Sequence, residues 1–219
     1  MDIVEGIKFR KSVRGYNSLP VPKKILSEIL EVSTRAPSSL NVQPWEFTIV
    51  AGEVLNNFRQ ANVKMFESGV SPTPGVPGQE CTGIYRQRQK EQASQIFELM
   101  GISWDDRAKR KEWDKGTFRF HNAPAVIIIS ADMSLNEVPS MFNIGLITQT
   151  IALAALNYDL GTCIQDVMYP DIARRFTGIP ESKLIIISVS IGYPDWEFPA
   201  NRLQSQREPY ENITTWHGI

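Results

Sequence analysis

The chain has 219 residues, of which 42% are hydrophobic and 21% charged, an ordinary composition for one globular domain over residues 1–219. Its 23 Lys and Arg residues balance 24 Asp and Glu residues, and the formal net charge of -1 argues against nucleic-acid binding, which needs a basic excess. The two cysteines, Cys81 and Cys163, lie far apart in no metal-like spacing, so we expect neither a disulfide framework nor a metal site.

Nothing in the sequence predicts export or membrane insertion. The N-terminal stretch MDIVEGIKFRKSVRG lacks the apolar run of a signal peptide. The most apolar segment, residues 141–156, is interrupted by polar side chains and is shorter than the ~20 apolar residues that a membrane span needs. We therefore expect a cytoplasmic protein in which this segment forms a buried helix.

The first third of the chain alternates between helix, loop and strand. Residues 22–35 carry apolar side chains with a period of 3.6, which predicts a helix. Pro37 and Pro44 then bracket a polar loop, and residues 46–51 are a predicted strand. Residues 53–66 are expected to be helical.

Residues 69–116 are predicted to form an insertion that acts as a lid over a site. Residues 69–83 contain four Gly and three Pro, a composition typical of a mobile loop. Residues 84–100 and 104–115 are predicted to be charged helices, and we expect the second to be opened by Ser103.

The second half predicts a sheet with helices around it. Residues 124–130 and 184–191 are continuous β-branched runs, as in strands buried on both faces. Between them we expect a long helix over residues 139–158, a short strand over 162–165 and a helix over 170–176.

The C-terminal tail, residues 192–219, has three prolines and no clear periodicity, yet it contains aromatic residues along its length, among them Trp196, Phe198, Tyr210 and Trp216. Disordered segments rarely keep so many aromatic side chains. We therefore expect the tail to pack on a surface, either its own or that of a partner.

Residues 9–15, FRKSVRG, are one candidate binding segment. If this segment is extended, Arg10, Ser12 and Arg14 point to one side, because side chains alternate along extended backbone. Two guanidinium groups and a hydroxyl match the oxygens of a phosphate. A solvated basic N-terminus would account for the same residues.

Residues 37–45, PSSLNVQPW, are a second candidate, because amides and hydroxyls are concentrated between two prolines. Amides both donate and accept hydrogen bonds, as the O2, N3 and O4 edge of a flavin ring requires. An ordinary helix-to-strand connection would explain the same composition.

Taken together, the stretch RKSVRGYNSLPVPKKILSEILEVSTRAPSSLNVQPWEFTIV resembles the opening of flavin-dependent nitroreductases. The match consists of R-x-S-x-R, a helix and A-P-S-x-x-N-x-Q-P-W, in that order and spacing, and it favours the functional interpretation of both segments. The resemblance resumes at LGTC (160–163), GYPD (192–195) and the Arg207-Glu208-Pro209 triplet, and it is weakest over residues 60–120.

This resemblance implies an α+β sandwich with a mixed or mainly antiparallel sheet flanked by helices. It implies an intertwined homodimer in which residues 192–219 cross to the partner. It also implies FMN as cofactor, NADH or NADPH as electron donor, and ping-pong reduction of small nitroaromatic or quinone-like compounds. The flavin N5 would carry the chemistry, and no catalytic side chain is expected.

The resemblance also assigns residues to the site. Arg10, Ser12 and Arg207 would hold the FMN phosphate and Arg14 would lie towards the N1 and O2 side of the ring. The main-chain N–H of Gln165 or Asp166 would bond to N5, and the loop from Pro37 would touch the ring across the dimer interface. The full cofactor set is Arg10, Lys11, Ser12, Arg14, Pro37, Ser38, Ser39, Asn41, Gln165, Asp166 and Arg207, and the lid aromatics expected to stack on substrate are Tyr85, Trp104, Trp113 and Phe118.

Two alternatives remain open. One is reductive dehalogenation of halogenated phenols or tyrosines, as in the related iodotyrosine deiodinases, with Glu80, Tyr85 and Lys109 gripping an amino-acid zwitterion, although their spacing fits poorly. The other is a non-catalytic flavin-binding or redox-sensing protein, which the lack of an appended regulatory domain disfavours. Both histidines, His121 and His217, lack a metal-spaced partner and are expected to be structural or surface groups.

Overall fold

A computed structural model describes residues 2–76 and 78–219. Met1 and Pro77, the latter in the predicted loop 69–83, lie outside the described residues. The elements in chain order are α1 (Ile3–Phe9), α2 (Lys23–Ser33), β1 (Glu46–Ala51), α3 (Gly52–Glu67), α4 (Gly83–Met100), α5 (Arg107–Phe118), β2 (Ala125–Asp132), α6 (Glu137–Leu156), β3 (Gly161–Gln165), α7 (Pro170–Thr177) and β4 (Lys183–Gly192).

The described strands form one antiparallel sheet in the order β1-β2-β4-β3. In its centre Ile127 of β2 lies between Ile49 of β1 and Val189 of β4. The β-branched runs that predicted buried strands are β2 and β4, the two central strands, because only central strands need apolar side chains on both faces. The predicted α+β architecture is confirmed.

Helices cover both faces of the sheet, and alternate residues of β2 point to opposite layers. Ile127 and Ile129 pack with Ile29 of α2 and with Ile147 and Ile151 of α6. Val126 and Ile128 pack on the other side with apolar residues of α3 and α7, chiefly Leu55, Phe58 and Ile172. The sheet is therefore the middle layer of a three-layer sandwich.

Helix α6 is the core helix predicted from the apolar segment. By length and composition it would be able to span a membrane, but Ile144, Ile147 and Ile151 are buried in the apolar layer on one face of the sheet. Near its N-terminus Val138 and Phe142 are 78% and 67% exposed. Part of this helix therefore presents an uncovered apolar surface.

Two helix starts differ from the prediction. Helix α1 was not predicted; it begins with a capping box in which the Asp2 carboxylate accepts the Val4 and Glu5 N–H groups. Helix α5 begins after Asp106, whose carboxylate accepts the Lys109 N–H at 2.9 Å, so the prediction that Ser103 opens it is wrong. A carboxylate three residues further on caps this helix in place of the hydroxyl.

The tail has two parts. Ala200, Asn201 and Leu203 are buried, and Leu203 packs against Ile96 and Phe97 of α4, so this part rests on its own protomer. Beyond Leu203 the tail is mostly exposed, with Tyr210 at 59% and Trp216 at 62%. The second part, residues 204–219, is thus the part of the tail that its own protomer leaves mostly uncovered.

Candidate functional site

The predicted phosphate-binding segment lies along the edge of the sheet. Ser12 forms a parallel bridge with Thr162 of β3, and the Val13 N–H donates to the Thr162 carbonyl at 2.9 Å. Val13 is buried, so the alternation of the extended backbone leaves Arg10, Ser12 and Arg14 on the other side. The structure therefore gives the segment the extended form that the spacing predicts.

Arg10 and Arg207 come close together from opposite ends of the chain. Burial and the positive charge of Arg207 lower the pKa of Arg10. Within residues 2–76 and 78–219, neither guanidinium forms an ion pair with a carboxylate. Two cations held together without a counter-charge form a site suited to an anion.

A groove of about 670 Å³ surrounds this pair. Its walls are residues 7–12, one face of α4 and tail residues 203–208, and we call it the Arg10 groove. Arg10, Lys11, Ser12 and Arg207 all line it. The Lys11 ammonium donates to the Asn201 carbonyl at 3.2 Å and lies 5.9 Å from the centre of the Trp196 ring, so it faces the tail as well as the groove.

Asn201, which the sequence does not single out, ties this segment to the tail. Its Oδ1 accepts the Arg14 N–H at 2.7 Å, and its Nδ2 donates to the carbonyls of Gly15 at 2.8 Å and Asp195 at 2.7 Å. The side chain is 1% exposed. It fixes the position of Arg14 through the main chain, and no local motif indicates it, because Arg14 and Gly15 lie about 190 positions away in sequence.

The end of β3 lies on the same side of the protein. The Gln165 amide donates to the Thr117 carbonyl at 2.7 Å and its Oε1 is 3.4 Å from the Ser190 hydroxyl. In the described chain the N–H of Asp166 donates to no acceptor, and burial raises the pKa of its carboxyl group. Cys163 is buried, and burial raises the pKa of its thiol.

The second predicted segment, residues 37–43, lies elsewhere in the same protomer, and we call it the amide loop. Leu40, Asn41 and Gln43 adopt positive φ angles of 51°, 58° and 47°, and the Ser39 N–H donates to Asn143 of α6 at 3.1 Å. Ser38 Oγ accepts the Gln43 N–H at 3.0 Å. None of residues 37–43 lines the Arg10 groove. One protomer thus does not bring its own two predicted segments together.

The predicted lid aromatics differ in exposure. Tyr85 and Trp104 are 62% and 50% exposed, and Trp104 packs edge-on against Phe97. Trp113 is partly buried and packs against the apolar cluster formed by Ile96 and Phe97 of α4 and Leu203 of the tail. Phe118, by contrast, is 5% exposed and stacks on Phe66 at 4.3 Å, which makes it a core residue and not a lid surface.

Lys109, a candidate for gripping a zwitterion, is already engaged. Its ammonium lies 3.9 Å from the Asp106 carboxylate and donates to the Gly101 carbonyl at 3.4 Å. These contacts turn it towards the start of α5 and leave the dehalogenase alternative without structural support from this residue.

Residues Phe120 to Asn122 form a left-handed turn with φ angles of 52°, 49° and 58°. Phe120 is buried, and the Arg59 guanidinium closes the turn by donating to the Arg119 carbonyl at 2.8 Å and to the Ala123 carbonyl. Consecutive left-handed residues are costly and tend to occur at functional sites. Here the turn places His121 near Arg14, and burial, followed by that charge, lowers the pKa of His121 to about 3.

We expect His121 to make the stability of the protein acid-sensitive. Its pKa is about 3 in the folded chain against an ordinary value of 6.5, so protons bind the unfolded chain more strongly. The contribution of His121 to the free energy of unfolding is complete above pH 6.5 and declines as the pH falls towards 3, by at most ~1.4 kcal/mol per pH unit. The His121→Asn variant, whose side chain tolerates positive φ, should show a shallower loss of Tm between pH 7 and 4.5. Parallel Tm profiles would contradict this.

Gly161 allows the phosphate-binding segment to approach β3. A Cβ at this position would lie 2.5 Å from Val13 Cγ2 and 2.8 Å from Pro194 Cγ. Gly161→Ala should therefore destabilise the fold by about 1–3 kcal/mol in urea denaturation. Gly78→Ala is the control, since its Cβ would meet nothing within 4 Å; equal stability of the two variants would refute the close-approach argument.

Comparison with known proteins gives consistent matches. A family model described as the nitroreductase family matches residues 7–193. The chain is similar to a 4-nitrobenzoate reductase of Pseudomonas putida (27% identity, covering 96% of this chain and 93% of the relative) and to a nitrobenzene nitroreductase of Ectopseudomonas oleovorans (28% identity, 96% and 94%). A solved structure, described as the FMN and NADPH-dependent nitroreductase NfnB from Sphigopyxis sp. strain HMH, superposes with a TM-score of 0.94 at 25% identity, covering 100% of both chains.

Proposed function

Because the chain belongs to the nitroreductase family, we propose that it is a cytoplasmic FMN-dependent NAD(P)H oxidoreductase that reduces small nitroaromatic or quinone-like compounds. Nitrobenzoate and nitrobenzene appear in the names of relatives that match almost the whole chain, and FMN and NADPH in the description of a structural neighbour. The observation that carries the proposal is the pairing of Arg10 with Arg207 in the Arg10 groove, without a carboxylate on either among the described residues.

The residues present fit FMN. Arg10, Ser12 and Arg207 would hold the phosphate through charge-assisted hydrogen bonds. Arg14, whose main chain Asn201 fixes, would place positive charge near the N1 and O2 side of the ring. The N–H of Asp166, without an acceptor among the described residues, would donate to N5. When bound, FMN supplies hydride acceptance and release at N5.

The protein's own residues then bind, orient and admit the reactants. The motifs of a separate dinucleotide-binding fold are missing from the sequence, so we propose that NAD(P)H and the oxidant use one position in turn. Tyr85 and Trp104, the exposed lid aromatics, would stack on a planar substrate. No side-chain acid or base is required, because protons can come from water.

We also propose a homodimer. The amide loop 37–43 does not reach the Arg10 groove of its own chain, so a partner would supply it. Exposed apolar side chains on α1 and α6, notably Ile3, Val138 and Phe142, need a cover. The exposed end of the tail, with Tyr210 and Trp216, would lie on the partner.

Removal of residues 209–219 tests the dimer. This truncation keeps Asn201, Arg207 and the buried part of the tail, so each protomer should still fold. We expect sedimentation velocity to show mainly monomer and FMN binding to fall at least about tenfold, since the partner's amide loop would be lost. A truncated chain that remains a flavin-loaded dimer would rule out this role for the tail.

The reaction is tested by anaerobic absorbance spectroscopy. The purified full-length chain should be yellow, should bleach with NADH or NADPH, and should recover its colour with 4-nitrobenzoate or a quinone. A colourless protein that cannot be loaded with FMN would refute the proposal. Recovery with a halogenated tyrosine but not with nitro compounds would favour the dehalogenase.

A further inference from the structure

The Arg10 groove contains a carboxylate beside its cations. Glu208 follows Arg207 directly and lines the groove, as does Glu91 of α4. Both oxygens of Glu208 are engaged away from the arginine pair: Oε2 forms a close ion pair with Arg88 of α4, and Oε1 accepts from Asn212 Nδ2 at 2.5 Å. These two contacts lower the pKa of Glu208, so it stays ionised.

Arg88 and Leu203 hold the tail to α4 on either side of the groove. Leu203 is buried against Ile96 and Phe97, a little over two helical turns along α4 from Arg88. Between these anchors Arg207 donates to the carbonyls of Ser205 and Gln206, at 3.1 and 2.9 Å. The guanidinium of Arg207 is thus directed by its own main chain while the next side chain is held by α4.

Arg10 and Arg207 line the same groove as Glu208, so without Arg88 its carboxylate would be free to pair with them. These two cations repel each other and have no counter-charge in the described chain. A carboxylate of the same chain is present at high effective concentration and would compete with any phosphate for them. Whether Arg10 and Arg207 are free to bind a phosphate therefore depends on where the Glu208 carboxylate is held.

We propose that Arg88 is a positioning residue that holds the Glu208 carboxylate away from Arg10 and Arg207, so that their charges are available to the phosphate of FMN. This inference rests on the proposed function. The ion pair then has two roles: it attaches the tail to α4, and it keeps a competing anion away from the two arginines. A simple tether would have only the first role.

Three full-length variants and two controls test it, with FMN binding to the stripped protein measured by quenching of flavin fluorescence. Arg88→Met should weaken FMN binding by about fivefold, the scale of a partly exposed charge. Glu208→Gln, which removes the competing charge and keeps the Asn212 acceptor, should bind FMN as tightly as the wild type or more tightly. The double variant R88M/E208Q should recover to within about twofold of the wild type.

The control double variant is R88M/E91Q, which has the same net charge. Glu91 lines the same groove but its carboxylate accepts from Gln87 at 2.9 Å on its own helix, so its removal should give no recovery. Arg86→Gln, two residues away on α4 and facing a different surface, should leave FMN binding unchanged. Recovery in both double variants would reduce the effect to net charge and overturn the proposal.

A tether alone predicts another pattern: Glu208→Gln as harmful as Arg88→Met, with no recovery in the double variant. That result would also overturn the proposal. Inorganic phosphate, measured by thermal shift on the same variants, separates this inference from the flavin assignment. If the wild type does not bind FMN, the proposed function fails, and the same ranking with phosphate would still support the role of Arg88, whereas equal phosphate stabilisation of all variants would refute it.

Discussion

An Arg10→Gln variant is expected to purify as a folded but colourless protein that binds FMN about 100-fold more weakly than the wild type. A guanidinium donates charge-assisted hydrogen bonds to phosphate that an amide cannot replace, and the loss of one or two such bonds accounts for this factor. Stability should be maintained, because Arg10 repels Arg207 and forms no ion pair within residues 2–76 and 78–219. Fluorescence titration with FMN and thermal unfolding of the stripped protein measure the two effects.

The combination of lost binding and kept stability is the distinguishing result. Arg175→Gln is the matched control, since Arg175 is exposed on α7 and its guanidinium lies over the Phe176 ring, far from the groove in sequence and in contacts. It should bind FMN normally. If Arg10→Gln bound FMN within threefold of the wild type, the phosphate would have to be held elsewhere and the assignment of the Arg10 groove would fail.

The second large effect is expected for Asn201→Ala, which should lower the free energy of unfolding by about 3 kcal/mol. Truncation removes three hydrogen bonds of 2.7 to 2.8 Å and leaves the part-buried Arg14 N–H without a partner, whereas the Gly15 and Asp195 carbonyls each keep one main-chain donor, the N–H of Asp195 and of Phe198. Buried unsatisfied groups cost about 1–3 kcal/mol each, less what water can restore. FMN affinity should fall as well, because the position of Arg14 is no longer fixed.

Urea denaturation of the stripped protein and FMN titration check this prediction. Asn17→Ala provides a comparison in the same stretch of chain, because Asn17 is exposed and makes one long bond of 3.3 Å to the Pro194 carbonyl. We expect that variant to lose less than about 1 kcal/mol. If both variants unfolded alike, Asn201 would not be the anchor between the phosphate-binding segment and the tail.

The sheet could be predicted from sequence because its signals are local. The runs that became β2 and β4 consist of β-branched residues whose pattern directly reports burial on both faces. Residues 46–51 were predicted with the observed bounds of β1, since prolines and the following glycine delimit them. The extended form of residues 10–15 also follows from its own alternation and from the nearby Gly15 and Pro20.

The contacts that arrange the site could not be predicted in this way. Asn201 bonds to residues about 190 positions earlier, and Arg59 closes a turn about 60 positions later. An asparagine or arginine with such a role has no distinctive neighbours, so only the folded chain reveals it. Phe118 shows the converse problem: an aromatic residue next to a charged helix looks like a lid contact until packing places it in the core.

The left-handed turn at Phe120 to Asn122 also bears on how this chain can diversify. The turn lies between the predicted lid, residues 69–116, and β2, and Arg59, whose guanidinium closes it, belongs to α3, which precedes the predicted lid. The C-terminal junction of residues 69–116 is therefore secured by an element outside them. A lid of different length or sequence would keep this junction but would also replace α4, which lines the Arg10 groove and carries Arg88, so recombination there would change substrate range and cofactor affinity together.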